Sequence, residues 1–257
     1  MNHQHHTTIT NTTAQRPCLA RGCRAHRLAS TYSPYCPGHR RALSRNGHPL
    51  QAPVTLDHLA PHQRAVRGWM KRNSQSPAWG ILADRWQGLE ESSRSLLARR
   101  AAGFAYRRHD FMAAERLLQV AGSVSSLEVI VLALAVFAMR ELEPRRFADD
   151  RGFLFVLVRR FSKLAPMAVA NYWSQKTRRM TAVYRDMPPR VSEVLGRWLV
   201  GAFGGPGLQL GRMERQRKDE QARQVTLLAD ALEALERAAR PTAAPAQPSK
   251  PSTCPSR

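Results

Sequence analysis

Residues 129–139, VIVLALAVFAM, form an unbroken apolar run with no polar face to offer to water. A helix of this kind is stable only where neighbours cover it on all sides, so the chain around it has to supply a core. The run is about half the length of a bilayer-crossing helix and is closed by Glu128 on one side and RELE on the other. It is therefore expected to be the buried central helix of a bundle, with no membrane span. Ser126 is placed to cap its start, and Pro144 ends it.

Other apolar positions recur at helical spacing along most of the chain. The segment LDHLAPHQRAVRGWMKR presents Leu59, Val66, Trp69 and Met70 on one face. Trp79, Leu82, Trp86 and Leu89 form a second stripe after NSQSP. A longer segment, 92–120, places Leu96, Leu97, Phe104, Phe111, Leu117 and Leu118 inward, with a break expected near Gly103 or His109. FLFVLV in 151–164 suits a buried strand or a buried helix, and helical neighbours without a partner strand favour helix. Further helices are expected over 166–184 and from MPPR to about Phe203, with GGPG as a flexible hinge after them.

The last helix, 207–240, has Val225, Leu228, Leu232, Leu235 and Ala239 at alternating spacings of three and four, a coiled-coil rhythm. Packing against the chain's own core and pairing in a homodimer both satisfy that pattern. The fold class is thus all-α, a multi-helix bundle, with a helical core over 55–205. Residues 1–16 and the Pro/Ala/Ser-rich 241–257, which contains Cys254, are expected to be disordered.

Three of the four cysteines fall in one short segment, 17–50, ahead of the QAPVT linker. The spacing is Cys18-x4-Cys23-x12-Cys36-x2-His39. Structural zinc sites take four such ligands as two pairs from two short turns, and Gly22 and Pro37-Gly38 supply turn residues inside each pair. About thirty residues cannot bury a core of their own, so metal binding would have to supply the folding free energy. His26, two residues past Cys23, competes for the fourth position. His39 completes a symmetric second pair and is the preferred ligand. The opening MNHQHHTTITNTTAQ lacks the apolar centre of a secretory signal, so a cytoplasmic location and reduced thiols are expected.

The segment resembles the small Cys3His zinc motifs, C-x4-C followed by C-x2-H-x3-R and a Gly-X-Pro turn, found in bacterial and phage proteins associated with mobile DNA. Cys18, Cys23, Cys36 and His39 match the ligands, and Gly47-His48-Pro49 stands where that pattern has Gly-Asp-Pro. The resemblance spans residues 17–50 alone. It implies a zinc cofactor and an association with DNA.

Forty Lys and Arg against nineteen Asp and Glu give a formal charge of +21 and a pI near 11.4. Such an excess calls for a polyanionic partner, of which nucleic acid is the commonest. Candidate phosphate contacts in the zinc segment are Arg21, Arg24, Arg27, Arg40, Arg41 and Arg45. RRFSK and NYWSQKTRR add Arg159, Arg160, Lys163, Lys176, Arg178 and Arg179, and YRRHDF at 106–111 has the same mixture of cations and rings. Phe161, Tyr172 and Trp173 are read as core beneath these cations.

Catalytic signatures are weak by comparison. Asp57-His58 echoes the first element of HNH nucleases, but such a site also needs an Asn and a second His on a following helix, and after Asn73 no histidine comes before His109. His58 and His62 share a helix face without the glutamate of a zincin, and GAFGGPGLQLG lacks the Lys-Ser/Thr of a phosphate loop. There is no His-x2-Arg box with a C-terminal nucleophilic Tyr, as a tyrosine recombinase would need. The expected function is a non-enzymatic, zinc-containing nucleic-acid-binding accessory or regulatory protein, DNA before RNA, of the kind carried by mobile elements. A zinc-containing protein-interaction factor is the alternative, and an HNH-like nuclease a more distant one.

Overall fold

The central apolar run is helix α5, Ser126–Leu142, started by the Ser125 hydroxyl, which accepts from the Glu128 N–H. All of Val129–Met139 is buried. In the computed structural model, which describes residues 16–27, 32–165, 168–175, 178–184 and 187–239, the helices before α5 are α1 (Pro37–Asn46), α2 (Leu56–Arg72), α3 (Ala78–Ala101) and α4 (Arg108–Ala121). After α5 come a 3-10 turn at Pro144–Arg146, α6 (Asp150–Ser162), strands β1 (Ala168–Ser174) and β2 (Arg179–Tyr184), and α7 (Pro189–Ala239). Among the described residues the fold is all-α apart from that one hairpin. No single helix among the described residues is long and apolar enough to cross a membrane.

Helices α2, α3 and α6 pack against α5, and α4 packs against α3 and α6. Trp86 of α3 lies edge-on to Phe161 of α6 and stacks near Phe203 of α7, while Phe137 and Phe153 meet at 5.1 Å. Residues 151–164 are helical, as expected: Asp149 caps α6 through the Gly152 N–H, and the ring-bearing FLFVLV is covered on nearly every side.

Helix α7 passes straight through GGPG, where a hinge was expected. A proline at 206 has no N–H to give the Ala202 carbonyl four residues earlier, and Arg85 Nη1 of α3 donates to that carbonyl instead at 3.1 Å. Gly207, Gly211 and Gly196 serve close packing. A Cβ on Gly207 would stand 2.7 Å from Phe137 of α5, and one on Gly211 would stand 2.7 Å from Glu141. A Cβ on Gly196 would press on Leu154 and Val158 of α6 at 3.1–3.3 Å.

Two further expectations are corrected. Ala168–Ser174 and Arg179–Tyr184 pair as an antiparallel hairpin in place of a helix, with Trp173 opposite Met180 and Ser174 opposite Arg179. β-branched and aromatic residues, Val169, Tyr172, Trp173, Thr181, Val183 and Tyr184, suit a pleated strand, and Arg178 takes the left-handed conformation (φ 49°) in the connection. The second stripe and the 92–120 segment are one helix as far as Ala101, and the break at 102–107 leaves Phe104 exposed beneath Arg99 instead of inward.

The chain divides into two units, one ending at Glu214 and one beginning at Arg215. In the second, the helix continues to Ala239, and its stripe of Val225, Leu228, Leu232 and Leu235 is not covered by the described residues of that unit.

The two roles of helical glycine separate by mutation. Gly207→Ala should lower unfolding free energy in urea by about 1–3 kcal/mol through overpacking against Phe137. Gly205→Ala, with open space at its Cβ position, should instead raise it by about 0.4–1 kcal/mol.

Candidate metal centre

The first ligand pair sits on a tight turn. Cys18 and Cys23 each anchor it through the backbone, Cys18 N–H to the Ala25 carbonyl and Cys23 N–H to the Ala20 carbonyl, both at 3.0 Å. Gly22 supplies the left-handed residue between them (φ 77°), and Pro17 and His26 close the turn as an antiparallel bridge. The second pair belongs to a helix start. Cys36 is the N-cap of α1, Pro37 follows at the first helical position, and His39 occupies the third. The Leu19 N–H bonds the Pro34 carbonyl at 3.0 Å and joins the two turns.

Folding each pair in this way brings three Sγ atoms and one imidazole nitrogen within 4.8 Å of one another. His39 Nδ1 lies 3.5 Å from Cys18 Sγ and 3.3 Å from Cys36 Sγ. A tetrahedral ion with metal–sulfur bonds of about 2.3 Å and a metal–nitrogen bond of about 2.0–2.1 Å has S···N edges of about 3.5 Å. Cys18, Cys23, Cys36 and His39 thus have the donor set and the spacing to hold one metal ion. His26, exposed in the bridge with Pro17, stays outside the group.

Electrostatics prepare the sulfurs. Burial pushes the Cys18 thiol up, but hydrogen bonds from the Cys36 and Ala20 backbone N–H groups, with His39 and Cys23, outweigh it and bring it from 9.0 down to about 6. The Ala25 N–H pulls Cys23 down, yet burial and the nearby sulfurs of Cys18 and Cys36 prevail, and its thiol lies above the ordinary value. At neutral pH a metal therefore meets a Cys18 thiolate and has to displace a proton from Cys23. The three cysteines are free of disulfides.

Among its described residues, the module has almost nothing else to hold it together. Its buried cluster consists of Cys18, Ala20 and Cys36, with Cys23 and Tyr35 packed against it. The ligands are the core.

Beyond α1 the chain is fastened to the helical body. Gly47 ends α1 in the left-handed conformation (φ 80°), and a Cβ there would lie 2.8 Å from the Arg151 carbonyl and the Phe155 ring of α6. Arg151 donates to the Gly47 carbonyl at 3.2 Å while pairing with Glu193 of α7. Gln51, expected in a linker, is 3% exposed. Its Nε2 donates to the Arg146 carbonyl, its Oε1 accepts from the Ala148 N–H, and Gly152 leaves room for it. No regular signal in the sequence pointed to Gln51 as a structural residue; its role appears only once residues a hundred positions apart meet.

The predicted phosphate contacts divide. Arg21, Arg24, Arg40, Arg41, Arg45, Lys163, Arg178 and Arg179 are exposed, and Arg27 is half-buried. Arg159 reaches back to the Arg45 carbonyl and Asn46 Oδ1. Arg160 is 6% exposed, and burial first, then the neighbouring Arg159 charge, lowers its guanidinium's hold on a proton. It is a core residue and not a surface contact: the apolar face of α6 turns inward and carries it there. Lys176 lies outside the described residues. Among the rings, Phe161 is buried as expected, whereas Trp173 is exposed across from Met180 on the hairpin; the Tyr172 side chain lies outside the described set.

The histidine pair of α2 has other work. His58 Nδ1 accepts from the Thr55 N–H while the Thr55 hydroxyl accepts from the His58 N–H, a reciprocal cap. His62 is buried and bonds Glu143 Oε1 at 2.9 Å. Among the described residues, the Cys18–Cys23–Cys36–His39 group is the one convergence of three or more metal-ligating side chains. Comparison with known protein families, curated proteins and solved structures finds no match for this chain.

Protein expressed in metal-replete medium should carry one bound metal per chain by elemental analysis. Cys36→Ser should lose it and expose 17–46 to proteolysis, while the helical body remains resistant. The lowered Cys18 value means that the thiolate's contribution is complete above 9.0 and lost as pH falls through about 6. Because Cys18 is still a thiolate at neutral pH, protons compete with the metal at this ligand only as pH falls below about 6, and metal release followed with a chromogenic chelator should rise steeply there.

Proposed function

We propose that this chain is a zinc-containing, non-enzymatic nucleic-acid-binding protein that acts as an accessory or regulatory factor, with DNA as its target. Three thiols and one imidazole in tetrahedral spacing are a donor set that suits zinc, and a closed four-ligand arrangement is characteristic of structural sites. The observation that carries the reading is the continuity of metal ligands and cations: Cys36 and His39 form the first turn of α1, and Arg40, Arg41 and Arg45 lie exposed on the same helix. Zinc would fix the start of α1, and Gly47 packs its end on α6. The arginines are then presented on a rigid element, which suits phosphate contacts.

The hairpin supports the same reading. Trp173 and Met180 are exposed as a cross-strand pair beside Arg178 and Arg179, an arrangement suited to stacking on bases while cations hold phosphates. The resemblance of residues 17–50 to motifs of mobile-DNA proteins favours DNA over RNA and a mobile-element setting. The reciprocal cap at Thr55 gives His58 a structural role that a nuclease base would have to abandon.

The test is a salt titration of binding to duplex DNA, single-stranded DNA and RNA of one sequence. With 6–10 phosphate contacts, affinity should fall roughly 10³–10⁵-fold between 50 and 200 mM salt. Arg40→Ala with Arg41→Ala should reduce the slope of log K against log salt by about 2 without loss of bound zinc. Absence of retention on any nucleic acid at low salt, together with salt-resistant association with proteins, would replace this reading with a protein-interaction role. Less than one zinc per chain would remove its metal half.

A further inference from the structure

The second unit's part of α7 carries an apolar seam that no described residue of that unit covers. Val225, Leu228, Leu232 and Leu235 are 54–68% exposed, and their spacings of three, four and three set them on one face. A helix over 215–237 that buries none of its side chains within its own unit is marginal in water by itself, because most helical stability comes from packing an apolar face. The seam thus calls for a partner of matching shape.

We propose that the partner is the same helix of a second copy, running antiparallel. The positions that flank the seam in the heptad include Ala222, Ala229 and Ala231, whose small side chains let two backbones approach closely. Charge selects the direction. Arg215, Arg217, Lys218 and Arg223 outnumber Asp219 and Glu220 in the first part of the helix, while Asp230, Glu233 and Glu236 outnumber Arg237 in the last part. Antiparallel pairing sets each basic part beside the other's acidic part and opposes the two helix dipoles; parallel pairing would align like with like. One face meeting itself about a two-fold axis gives a closed dimer. The proposal does not rest on the nucleic-acid reading, and it would give a dimer two zinc modules.

Light scattering on the full-length, metal-loaded protein over about 1–100 µM should report twice the 28.9 kDa chain mass. Leu228→Glu with Leu232→Glu should yield the monomer with bound metal unchanged. A wild-type chain that stays at 28.9 kDa throughout, or a double variant that still dimerises, overturns the proposal. Direction is read by cysteine cross-linking in a Cys254→Ser background. Mixed Val225→Cys and Leu235→Cys chains should link to each other, and Val225→Cys chains linking among themselves would overturn the antiparallel arrangement.

Discussion

A helix without a polar face imposes conditions on everything near it. Because Val129–Met139 of α5 is buried all round, α2, α3 and α6 have to close on it, and α7 has to come near enough to complete the wall. That approach is possible only where α7 lacks side chains, at Gly207 and Gly211. The proline in the same stretch would cost a hydrogen bond and leave the Ala202 carbonyl bare. Arg85 meets it from α3, so a helix that local rules would break at GGPG continues through it. One demand for burial thus accounts for a glycine pattern, a tolerated proline and a cross-helix hydrogen bond.

The metal centre obeys a different economy of scale. Among the described residues, the segment that holds it has no apolar interior beyond Ala20, Tyr35 and the ligand cysteines, so the cluster and the local fold form and fail together. Its far end does not depend on metal. Gly47 against α6, the Arg151 bridge to Glu193 and the buried Gln51 tie the module to the helical body. The result is a short cationic helix held at its start by ligands and at its end by a close-packed turn. That is why metal ligation and the presentation of Arg40 and Arg41 are treated as one device in the proposed function.

The legibility of these features follows the range of the forces behind them. The ligand set could be read from spacing, since a two-residue or four-residue turn with Gly or Pro inside it brings its ends together wherever it occurs; His39 over His26 follows from the same rule once Cys36 caps a helix. The helical identity of 151–164 could be read from its neighbours. The hairpin could not, because Trp173 and Met180 pair across a turn, and the rings of Tyr172 and Trp173 read as core in the sequence. Phe104 was misplaced for a related reason: helical phase carried it inward until the break at 102–107 cut the phase. Arg160 was counted as a surface cation because charge in a sequence says nothing of which face of α6 it will occupy.

The sequence by itself determined the helical class, the buried central helix, the four candidate ligands and the strongly basic character, all of which depend on composition or on contacts within a few residues. The tertiary structure decided that GGPG is packing and not a hinge, and that QAPVT is partly buried and not a linker. Each of these turns on how closely distant segments approach, through Phe137, Arg85, Gln51 and Gly152, and close approach is a property of the whole packed molecule that no local pattern encodes.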